Sequence, residues 1–452
     1  MPVVINYRTG NIIDLNETGL FIWELLPNKV STILDILAST YGRSNKTIKT
    51  DILNFLNELV DEHFILKNDA YVENSTARKA FITDLEVREK IKDLGMQKHI
   101  PITAEIELTN QCNLNCIHCF NMTDRRKKSL ETAEMKHIID ELFSIGTILL
   151  IFTGGEVFSR KDIGELIEYA DKKDFLIRIL TNATLIGDNE IKMLKKFRVI
   201  SVQVSIYSHI PEIHDSITKK QGSFFKSIKA IKKMISNNIH VEIATPLMKV
   251  NFSEREGIKK LAETLGIRHR YSYPIFERND GSKDVYALRP SKKEIFQFFS
   301  EDLNQIIYLP RTEDEPICGV GVNTCMINPQ GDLFPCTLLN IKIGNLLKQK
   351  LKVLWNSSEI LKKLRKLRIK NLETCVKCPS TAYCNLCLGH NWKETKNILQ
   401  PAKICCDYAL NSMQVMRINK SRNVQTRLTN KKLKGGECNE KISKAKSNKS
   451  KN

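Results

Sequence analysis

The residues best suited to chemistry are cysteines, and three of them lie on one short loop. Cys112, Cys116 and Cys119 directly follow an apolar run at 103–108. Three thiolates so close together can hold three irons of a cubane cluster and leave the fourth iron open to a substrate. The alternative is a structural zinc site, with His118 as the fourth ligand. We favour the cluster because the loop ends a predicted strand, where the active sites of strand–helix barrels lie.

Two more groups of cysteines follow towards the C-terminus. Cys318, Cys325 and Cys336 form the first, and a CxxCxxxxxCxxC run followed by Cys405-Cys406 forms the second. Thiolates bind iron–sulfur clusters and zinc equally well, so the ligand type leaves both open. Together these residues suffice for two sites of four thiolates each. The run consists of Cys375, Cys378, Cys384 and Cys387.

Small and polar residues end the strands predicted after the cysteine loop. The next strand leads into Gly154-Gly155-Glu156, where glycines let backbone groups approach a ligand and Glu156 can accept a hydrogen bond from an ammonium group. Asn182 and Ser205 end the two strands after that. Each of these residues alone is typical of an ordinary turn or cap, but their order after the cysteine loop makes them candidate site residues.

Apolar runs alternate with amphipathic stretches from Thr103 onwards. Six β/α units in a row predict an α/β fold with a parallel sheet, in the form of an open or closed barrel over 101–290. The cysteine-rich region 310–412 has short apolar runs and is typical of a domain built around metal. The predicted strands are 103–108, 148–153, 175–181, 199–206, 240–247 and 267–275, and the predicted helices are 132–144, 161–172, 222–235 and 253–264.

The first 73 residues predict a compact winged-helix-like module. Two short strands, Val3–Tyr7 and Ile12–Leu15, flank a turn at Arg8-Thr9-Gly10-Asn11, and Asn16 can cap the first of three helices. A small β-wing is predicted at Phe64–Leu66 and Tyr71–Glu73. The charged stretch 74–100 has weak periodicity and is predicted to be a linker.

Charge and hydropathy limit the functional classes. The chain has no apolar run long enough to span a membrane and no export signal, so we expect a cytoplasmic protein whose thiols stay reduced. The net charge of +19 invites a nucleic-acid interpretation, yet much of the excess lies in the tail 413–452. That tail is predicted to be disordered. A nucleic-acid partner is therefore not expected.

The CxxxCxxC loop, followed one β/α unit later by Gly154-Gly155-Glu156, resembles the radical S-adenosylmethionine (radical SAM) superfamily. The resemblance implies a [4Fe-4S] cluster on Cys112, Cys116 and Cys119, whose free iron binds S-adenosylmethionine. It places the adenine against His118, the methionyl amino group at the Gly-Gly-Glu motif, and the ribose or carboxylate near Asn182 and Ser205. A flavodoxin- or ferredoxin-type reductant is also implied.

The later cysteines resemble the SPASM extension of peptide-modifying radical SAM enzymes, with Gly331 between Cys318 and Cys336 and with CX2C in place of CX3C at its fourth spacing. The resemblance implies two auxiliary [4Fe-4S] clusters, each with four thiolate ligands, which suits electron transfer. Because Cys406-Asp407-Tyr408-Ala409 is similar to the closing Cys-x-x-Ala of that family, Cys406 is preferred to Cys405. The first set would be Cys318, Cys325, Cys336 and Cys387, and the second Cys375, Cys378, Cys384 and Cys406.

The N-terminal module resembles the PqqD-like recognition element, which binds the leader of a ribosomally made precursor peptide. An exposed edge strand such as Ile12–Leu15 can accept an extended peptide through main-chain hydrogen bonds. Fusion to the barrel would raise the effective concentration of the core peptide at the cluster. The alternative is a winged helix used for DNA binding or for packing.

These three resemblances together predict a precursor-peptide maturase, in which a 5′-deoxyadenosyl radical abstracts hydrogen from a peptide carbon and an auxiliary cluster accepts an electron. A thioether from cysteine to carbon, as in sactipeptide or ranthipeptide maturases, is the first choice, and a carbon–carbon crosslink is the second. A sulfatase-maturating type of enzyme is a further alternative, although such enzymes have an acidic residue where Thr337 follows Cys336. The non-enzyme alternative is a zinc-binding winged-helix regulator that binds DNA.

Overall fold

A computed structural model describes residues 3–5, 12–26, 28–42, 44–62, 64, 85–121 and 127–421. The predicted turn at 8–11, the second strand of the predicted wing, and the tail from 422 onwards lie outside these residues. Among the described residues, no helix is both long and apolar enough to cross a membrane.

Nine strands of the described chain form one sheet, in the order β11-β10-β9-β3-β4-β5-β6-β7-β8. The strands from β3 to β8 are parallel neighbours in chain order, which confirms the predicted α/β fold with an open, partial barrel of six strands. Their bounds are β3 Thr103–Glu107, β4 Leu149–Thr153, β5 Leu176–Thr181, β6 Val199–Ser205, β7 Val241–Pro246 and β8 Arg268–Ser272.

Amphipathic helices cover the outer face of this sheet. In the helix Ile163–Lys172, for example, the buried side chains recur at helical spacing and join a core that includes Phe152 and Ile179. The helices of the barrel are α5 Thr132–Ser144, α6 Ile163–Lys172, α7 Asp188–Lys196, α8 Pro211–Thr218, α9 Ser223–Ser236, α10 Arg255–Thr264 and α11 Lys292–Glu301.

The stretch predicted as a linker ends in a helix, α4 Leu85–Lys98. Its Ile91 is buried against Ile102, Ile148 and Leu176, which lie at or next to the amino ends of the strands. Since the cysteine loop follows the carboxyl end of β3, α4 covers the opposite end of the barrel.

The described part of the N-terminal module has the two strands and three helices that were predicted, while the predicted wing, apart from Phe64, lies outside the described residues. Strands β1 Val3–Ile5 and β2 Ile12–Asp14 pair antiparallel, and the Asn16 side chain accepts a hydrogen bond of 2.7 Å from the Gly19 amide at the start of α1. Ile22, Ile33, Leu37 and Leu59 form a separate small core. The helices are α1 Glu17–Glu24, α2 Val30–Tyr41 and α3 Asn45–Asp61.

The C-terminal region extends the barrel sheet. Strand β9 pairs in parallel with β3, and Cys325 is in register with Ala104. A final helix, described over 403–421, packs Tyr408 and Val415 against Phe298, so ordered structure continues past the predicted start of the tail at 413. The other elements are β9 Thr324–Ile327, β10 Asp332–Phe334, β11 Gly344–Asn345, α12 Leu351–Ser357, α13 Glu359–Lys366, α14 Glu373–Val376 and α15 Leu388–Thr395.

Candidate active site

The first cysteine loop is held at the carboxyl end of the barrel by its own backbone. The amides of Asn115 and Ile117 donate to the carbonyls of Thr218 and Ile217 at the end of α8, at 2.9 and 3.0 Å. Cys112, Cys116 and Cys119 all pack on one apolar cluster with Leu114, Ile217, Met248 and Ile275. The structure therefore brings the three predicted ligands to one side of a fixed loop.

Gly154 and Gly155 are needed for contact between two loops of the chain itself. The Gly155 amide donates to the Thr109 carbonyl at 2.7 Å, and the Glu156 amide donates to the Gln111 carbonyl at 2.8 Å. A Cβ on Gly154 would collide with the Thr109 carbonyl oxygen, and one on Gly155 with that of Gln111. Gly154 also has a φ of 131°, which side chains rarely adopt. The glycines thus seat the cysteine loop directly on the end of β4.

The carboxylate of Glu156 is directed into the protein. It is 1% exposed and accepts from the Thr181 hydroxyl at 2.6 Å, the Asn182 amide at 2.8 Å and the Phe158 amide at 3.2 Å. Burial raises the pKa of Glu156, and its hydrogen bonds with Thr181 and Asn182 oppose that rise. In this arrangement Glu156 joins the ends of β4 and β5, and its contact with an ammonium group stays a prediction.

Asn182 connects the end of β5 to the cysteine loop. Its side-chain amide donates to the Asn113 side-chain oxygen at 3.0 Å and lies 3.9 Å from the Cys112 sulfur. Its side-chain oxygen accepts from Thr184. Asn182 is therefore close to a predicted iron ligand, as expected for a residue of the site.

His118 keeps a free nitrogen on the cysteine loop. Its Nδ1 atom is buried and has no hydrogen-bond partner, and its ring contacts that of Tyr207 edge-on at 4.9 Å between centroids. Burial, helped by the positive charge of Arg278, lowers the pKa of His118 to about 4, so the ring is neutral near pH 7. A neutral ring with an unpaired nitrogen fits a planar, hydrogen-bonding ligand such as adenine.

Tyr207, which the sequence analysis did not identify, lies against a predicted ligand. Its hydroxyl is 3.8 Å from the Cys116 sulfur and is buried with it. Burial and the Cys116 thiol raise the pKa of Tyr207 well above its usual value, and Ser205 at the end of β6 lowers it. Ser205 is thus placed beside the loop through Tyr207. The only sequence signal for Tyr207 as a site residue was its position two residues after the end of β6.

Arg278 is a second residue that the sequence did not reveal. Its guanidinium group donates to the carbonyls of Cys119, at 2.5 Å, and Ile117, at 3.0 Å, and pairs with Asp284 at 2.8 Å. A planar group with several donors can hold two carbonyls in fixed positions. Arg278 therefore fixes the far end of the cysteine loop.

The second set of auxiliary cysteines lines a small cavity of about 50 Å³. Burial raises the pKa of Cys384 to about 12, and the thiols of Cys375, Cys406 and Cys378 add to the rise. Cys405 lines the same cavity, but its sulfur lies 3.0 Å from the Nδ1 atom of His390. The structure thus brings together Cys375, Cys378, Cys384 and both members of the 405–406 pair. Cys387, which was predicted to belong to the first auxiliary set, lines the same cavity.

Three members of the first auxiliary set are also neighbours. Burial raises the pKa of Cys318 to about 11 and that of Cys336 to about 12, and the Cys387 thiol contributes to both. For Cys325 on β9, burial alone raises the pKa to about 12. Because such buried thiols are protonated near pH 7, ligation to iron would have to displace their protons. The place of Cys325 as the fourth ligand stays a prediction.

The thiol sets are not arranged for a single ion. Among the described residues, no group of three or more His, Cys, Asp or Glu side chains could hold one metal ion. A tetrahedral zinc site holds each sulfur about 2.3 Å from one ion, whereas a cubane cluster holds each sulfur on a different iron. Three thiolates on the first loop would leave one iron of such a cluster without a protein ligand. His118 lies on this loop and Asn182 lies beside Cys112, so the residues present fit the predicted cluster and S-adenosylmethionine.

Thr337, which follows Cys336, makes a contact that its sequence position did not indicate. Its hydroxyl donates to the Glu105 carboxylate on β3 at 2.8 Å. Burial raises the pKa of Glu105, and the hydrogen bond from Thr337 opposes the rise. The Glu105 carboxyl group is therefore hydrogen-bonded to Thr337, the residue at the position that is acidic in the sulfatase-maturating type.

The N-terminal module carries a groove of about 620 Å³ between β2, α1 and α3. Its floor is apolar and includes Leu15, Ile22 and Phe55, while Asp51 and Glu58 are its charged lining residues. Asp51, Phe55 and Glu58 follow at helical spacing, so they lie along one face of α3. The groove offers apolar pockets beside a strand edge, the arrangement that an extended peptide can occupy.

Three family models match this chain. They are the radical SAM superfamily over 106–262, the coenzyme PQQ synthesis protein D (PqqD) over 3–65, and the iron–sulfur cluster-binding domain SPASM over 318–379. The three matched regions lie within the barrel, the N-terminal module and the cysteine-rich region, respectively.

Individual proteins are similar over most of the chain. The antilisterial bacteriocin subtilosin biosynthesis protein AlbA of Bacillus subtilis is 28% identical over 323 residues, which is 67% of this chain and 72% of AlbA. An AdoMet-dependent heme synthase of Methanosarcina barkeri is 26% identical over 66% of this chain and 94% of its own. Streptococcus suis SuiB, solved with its precursor peptide SuiA, aligns over 89% of this chain and 96% of its own with a TM-score of 0.59. At 17% identity that likeness shows the fold.

Proposed function

Because this chain belongs to the radical SAM enzymes and carries PqqD-like and SPASM domains, we propose that it links a cysteine sulfur to a carbon of a ribosomally synthesised precursor peptide. The observation that carries the proposal is the apolar groove of the N-terminal module on the same chain as three sets of buried or half-buried thiols. A leader peptide in the groove would keep the core peptide near the barrel at high effective concentration. The likeness to AlbA favours the thioether among the possible bonds.

The chain's own residues have three tasks in this proposal. Cys112, Cys116 and Cys119 would hold the cluster that binds S-adenosylmethionine, and Asn182 and Tyr207 would orient the first two sulfurs. When bound there, the cluster and S-adenosylmethionine supply hydrogen-atom abstraction from carbon. Residues outside the loop then exclude water, so that the reactive carbon meets the peptide thiol rather than solvent.

The bond must balance in atoms and electrons. The peptide carbon loses one hydrogen atom, the cysteine thiol loses one proton, and one electron leaves the peptide as the carbon–sulfur bond forms. The product therefore weighs two hydrogens less than the substrate. The two auxiliary thiol sets, at Cys336 and Cys384, would each hold a further cluster, and full ligation by thiolates suits such clusters to accept electrons.

The experiment is co-expression with the short cysteine-containing peptide encoded beside the gene, followed by mass spectrometry. We expect a loss of two hydrogens per bond and one fewer thiol available to iodoacetamide. A loss of two hydrogens with every thiol still reactive would indicate the carbon–carbon crosslink instead. An unchanged peptide mass, with an enzyme that cleaves S-adenosylmethionine, would contradict the proposal.

The heme synthases among the relatives suggest a porphyrin substrate as a second candidate. The groove of the N-terminal module favours the peptide, since it has the strand edge and apolar pockets of a peptide site. Removing residues 1–73 should abolish peptide modification and leave S-adenosylmethionine cleavage without peptide intact. Retention of peptide modification in the shortened chain would show that this module is not its recognition element.

A further inference from the structure

Two buried side chains of opposite charge, Glu277 and Lys393, lie near one another in the region between the cysteine loop and the auxiliary thiols. Glu277 is 1% exposed and Lys393 is 3% exposed. Acidic and basic side chains are almost never so completely buried unless they are paired. Their location and their partners therefore need a physical explanation.

Glu277 is tied to the first cysteine loop through its chain neighbours. Arg278, the next residue, donates to the carbonyls of Cys119 and Ile117 on that loop. The Asn279 amide donates to the Phe120 carbonyl at 2.8 Å. The backbone at Glu277 is thus held directly beside the loop that carries the open cluster corner.

Lys393 belongs to the auxiliary side of the same space. It lies on α15, which begins directly after Cys387. Burial lowers the pKa of Lys393, and the Cys336 thiol and Glu107 oppose this lowering. Glu277 also raises the pKa of Lys393. The Lys393 ammonium group is therefore within electrostatic reach of both the barrel carboxylates and an auxiliary ligand.

The two segments are fixed against one another by other contacts. The rings of Phe276 and His390 pack with their centroids 4.7 Å apart and their planes tilted by 30°. Arg289 donates to the Ile275 carbonyl at 2.9 Å and pairs with Glu394 at 2.6 Å. These contacts hold the segment of Glu277 against the helix of Lys393.

Glu277 has unused hydrogen-bonding capacity. One oxygen of Glu277 accepts from Lys396, but its Oε2 atom is buried without any partner among the described residues. The side chain of Lys393 is also largely buried, but its ammonium group is not one of the enclosed groups that lack a partner. An unsatisfied buried acceptor costs free energy, so the Glu277 oxygen needs a donor from water or from a ligand.

We propose that Glu277 and Lys393 bind the core peptide, with Glu277 Oε2 accepting a peptide N–H and the Lys393 ammonium group donating to a peptide carbonyl. A peptide backbone offers both a donor and an acceptor at short spacing, which matches the acceptor on Glu277 and the donor on Lys393. The site would hold the reacting residue between the open cluster corner and the auxiliary thiols. This inference rests on the proposed function and names the residues that position its substrate.

The test uses the holoenzyme, prepared without oxygen, with the variant Lys393→Met and the control Lys293→Met, an exposed lysine on α11. The substrate is the cysteine-containing peptide encoded beside the gene. We expect Lys393→Met to release about tenfold more 5′-deoxyadenosine per modified peptide, as expected for loss of one hydrogen bond to a charged group. The control should keep the wild-type ratio. Glu277→Leu should change the ratio in the same direction.

Thermal unfolding separates this role from a structural one. If Lys393 has no partner in the protein, its replacement by a methionine of similar volume leaves the melting temperature unchanged or raises it. A wild-type ratio in Lys393→Met, or a melting temperature lowered by several degrees, would overturn the inference. A wild-type enzyme that forms 5′-deoxyadenosine but leaves the peptide unmodified would instead contradict the proposed function.

Discussion

The side-chain amide of Asn182 lies 3.9 Å from the sulfur of Cys112 and donates to Asn113 at 3.0 Å. A residue at the end of β5 thus contacts the first predicted iron ligand at the end of β3. The backbone amide of Asn182 donates to Glu156, and its side-chain oxygen accepts from the Thr184 hydroxyl, so the side-chain amide has a fixed direction. Mutation of a group that orients a metal ligand typically lowers metal affinity or activity about 10- to 100-fold.

Replacing Asn182 with Ala should lower 5′-deoxyadenosine formation about 10- to 100-fold, the usual effect of losing a group that orients a metal ligand. The rate would fall because the Cys112 thiolate would lose the neighbouring Asn182 amide, which donates towards its sulfur. Lys192→Ala, at an exposed position on α7, is the matched control. A variant with normal iron content and a normal rate would show that Asn182 has no role in positioning the loop.

Gly155→Ala should destabilise the protein by about 1–3 kcal/mol, the usual cost of overpacking, and reduce the iron bound at the first loop. A Cβ there meets the Gln111 carbonyl oxygen, which belongs to the backbone and cannot turn away. Gly164→Ala is the control, since its nearest neighbour is the flexible Met193 side chain on the outside of the barrel. Thermal unfolding and iron analysis of the two variants measure the difference.

The sequence predicted the strands of the barrel closely, because each is a run of apolar residues between amphipathic stretches. The run 175–181 became β5 Leu176–Thr181, and the stretch 132–144 is helix α5. Three of the barrel helices, α7, α8 and α11, were not predicted. In α7 Asp188–Lys196 only Ile191 and Leu194 are buried. Its apolar repeat is therefore short, and most of its other residues are polar or charged.

The candidate site was predictable where chemistry depends on local spacing, and it was not where tertiary contacts decide. The cysteine spacing identified the loop at Cys112. Arg278, however, is separated from Cys119 by 159 positions, and Tyr207 from Cys116 by 91. No local pattern signals such pairs, since the fold alone brings them together.

Cys406→Ala should remove the iron and sulfide of one auxiliary cluster, whereas Cys405→Ala should keep both. The thiol of Cys406 is a neighbour of Cys375, Cys378 and Cys384 in the same cavity. The sulfur of Cys405 also lines this cavity, but it lies 3.0 Å from the Nδ1 atom of His390. Iron and sulfide analysis of the purified variants measures the outcome, and the reverse result would make Cys405 the ligand.

The acidic lining of the N-terminal groove predicts a leader peptide with a basic residue next to its apolar anchors. Asp51 and Glu58 are exposed. Asp51→Asn combined with Glu58→Gln should therefore weaken leader binding about 5- to 10-fold, as for the loss of two exposed ion pairs of up to about 1 kcal/mol each. The weakening should shrink at high salt, where surface charges are screened. Fluorescence anisotropy of the labelled leader measures it, with the exposed Glu24→Gln as control. Equal salt dependence in both variants would show that charge plays no part.

The stability of the barrel should fall as the solution is acidified from pH 7 to pH 5, in part because of His214. Burial lowers the pKa of His214 from 6.5 to about 4, and its Nδ1 atom accepts from the Tyr207 amide at 3.2 Å. The unfolded chain takes up a proton on this ring below pH 6.5, while the folded chain does not until about pH 4. His214 therefore removes about 2 kcal/mol of stability at pH 5 and almost none at pH 7. His214→Asn keeps an acceptor for the Tyr207 amide but does not titrate, so its urea midpoint should fall less between pH 7 and pH 5 than that of the wild type. Equal falls in the two proteins would mean that His214 is protonated in the folded barrel.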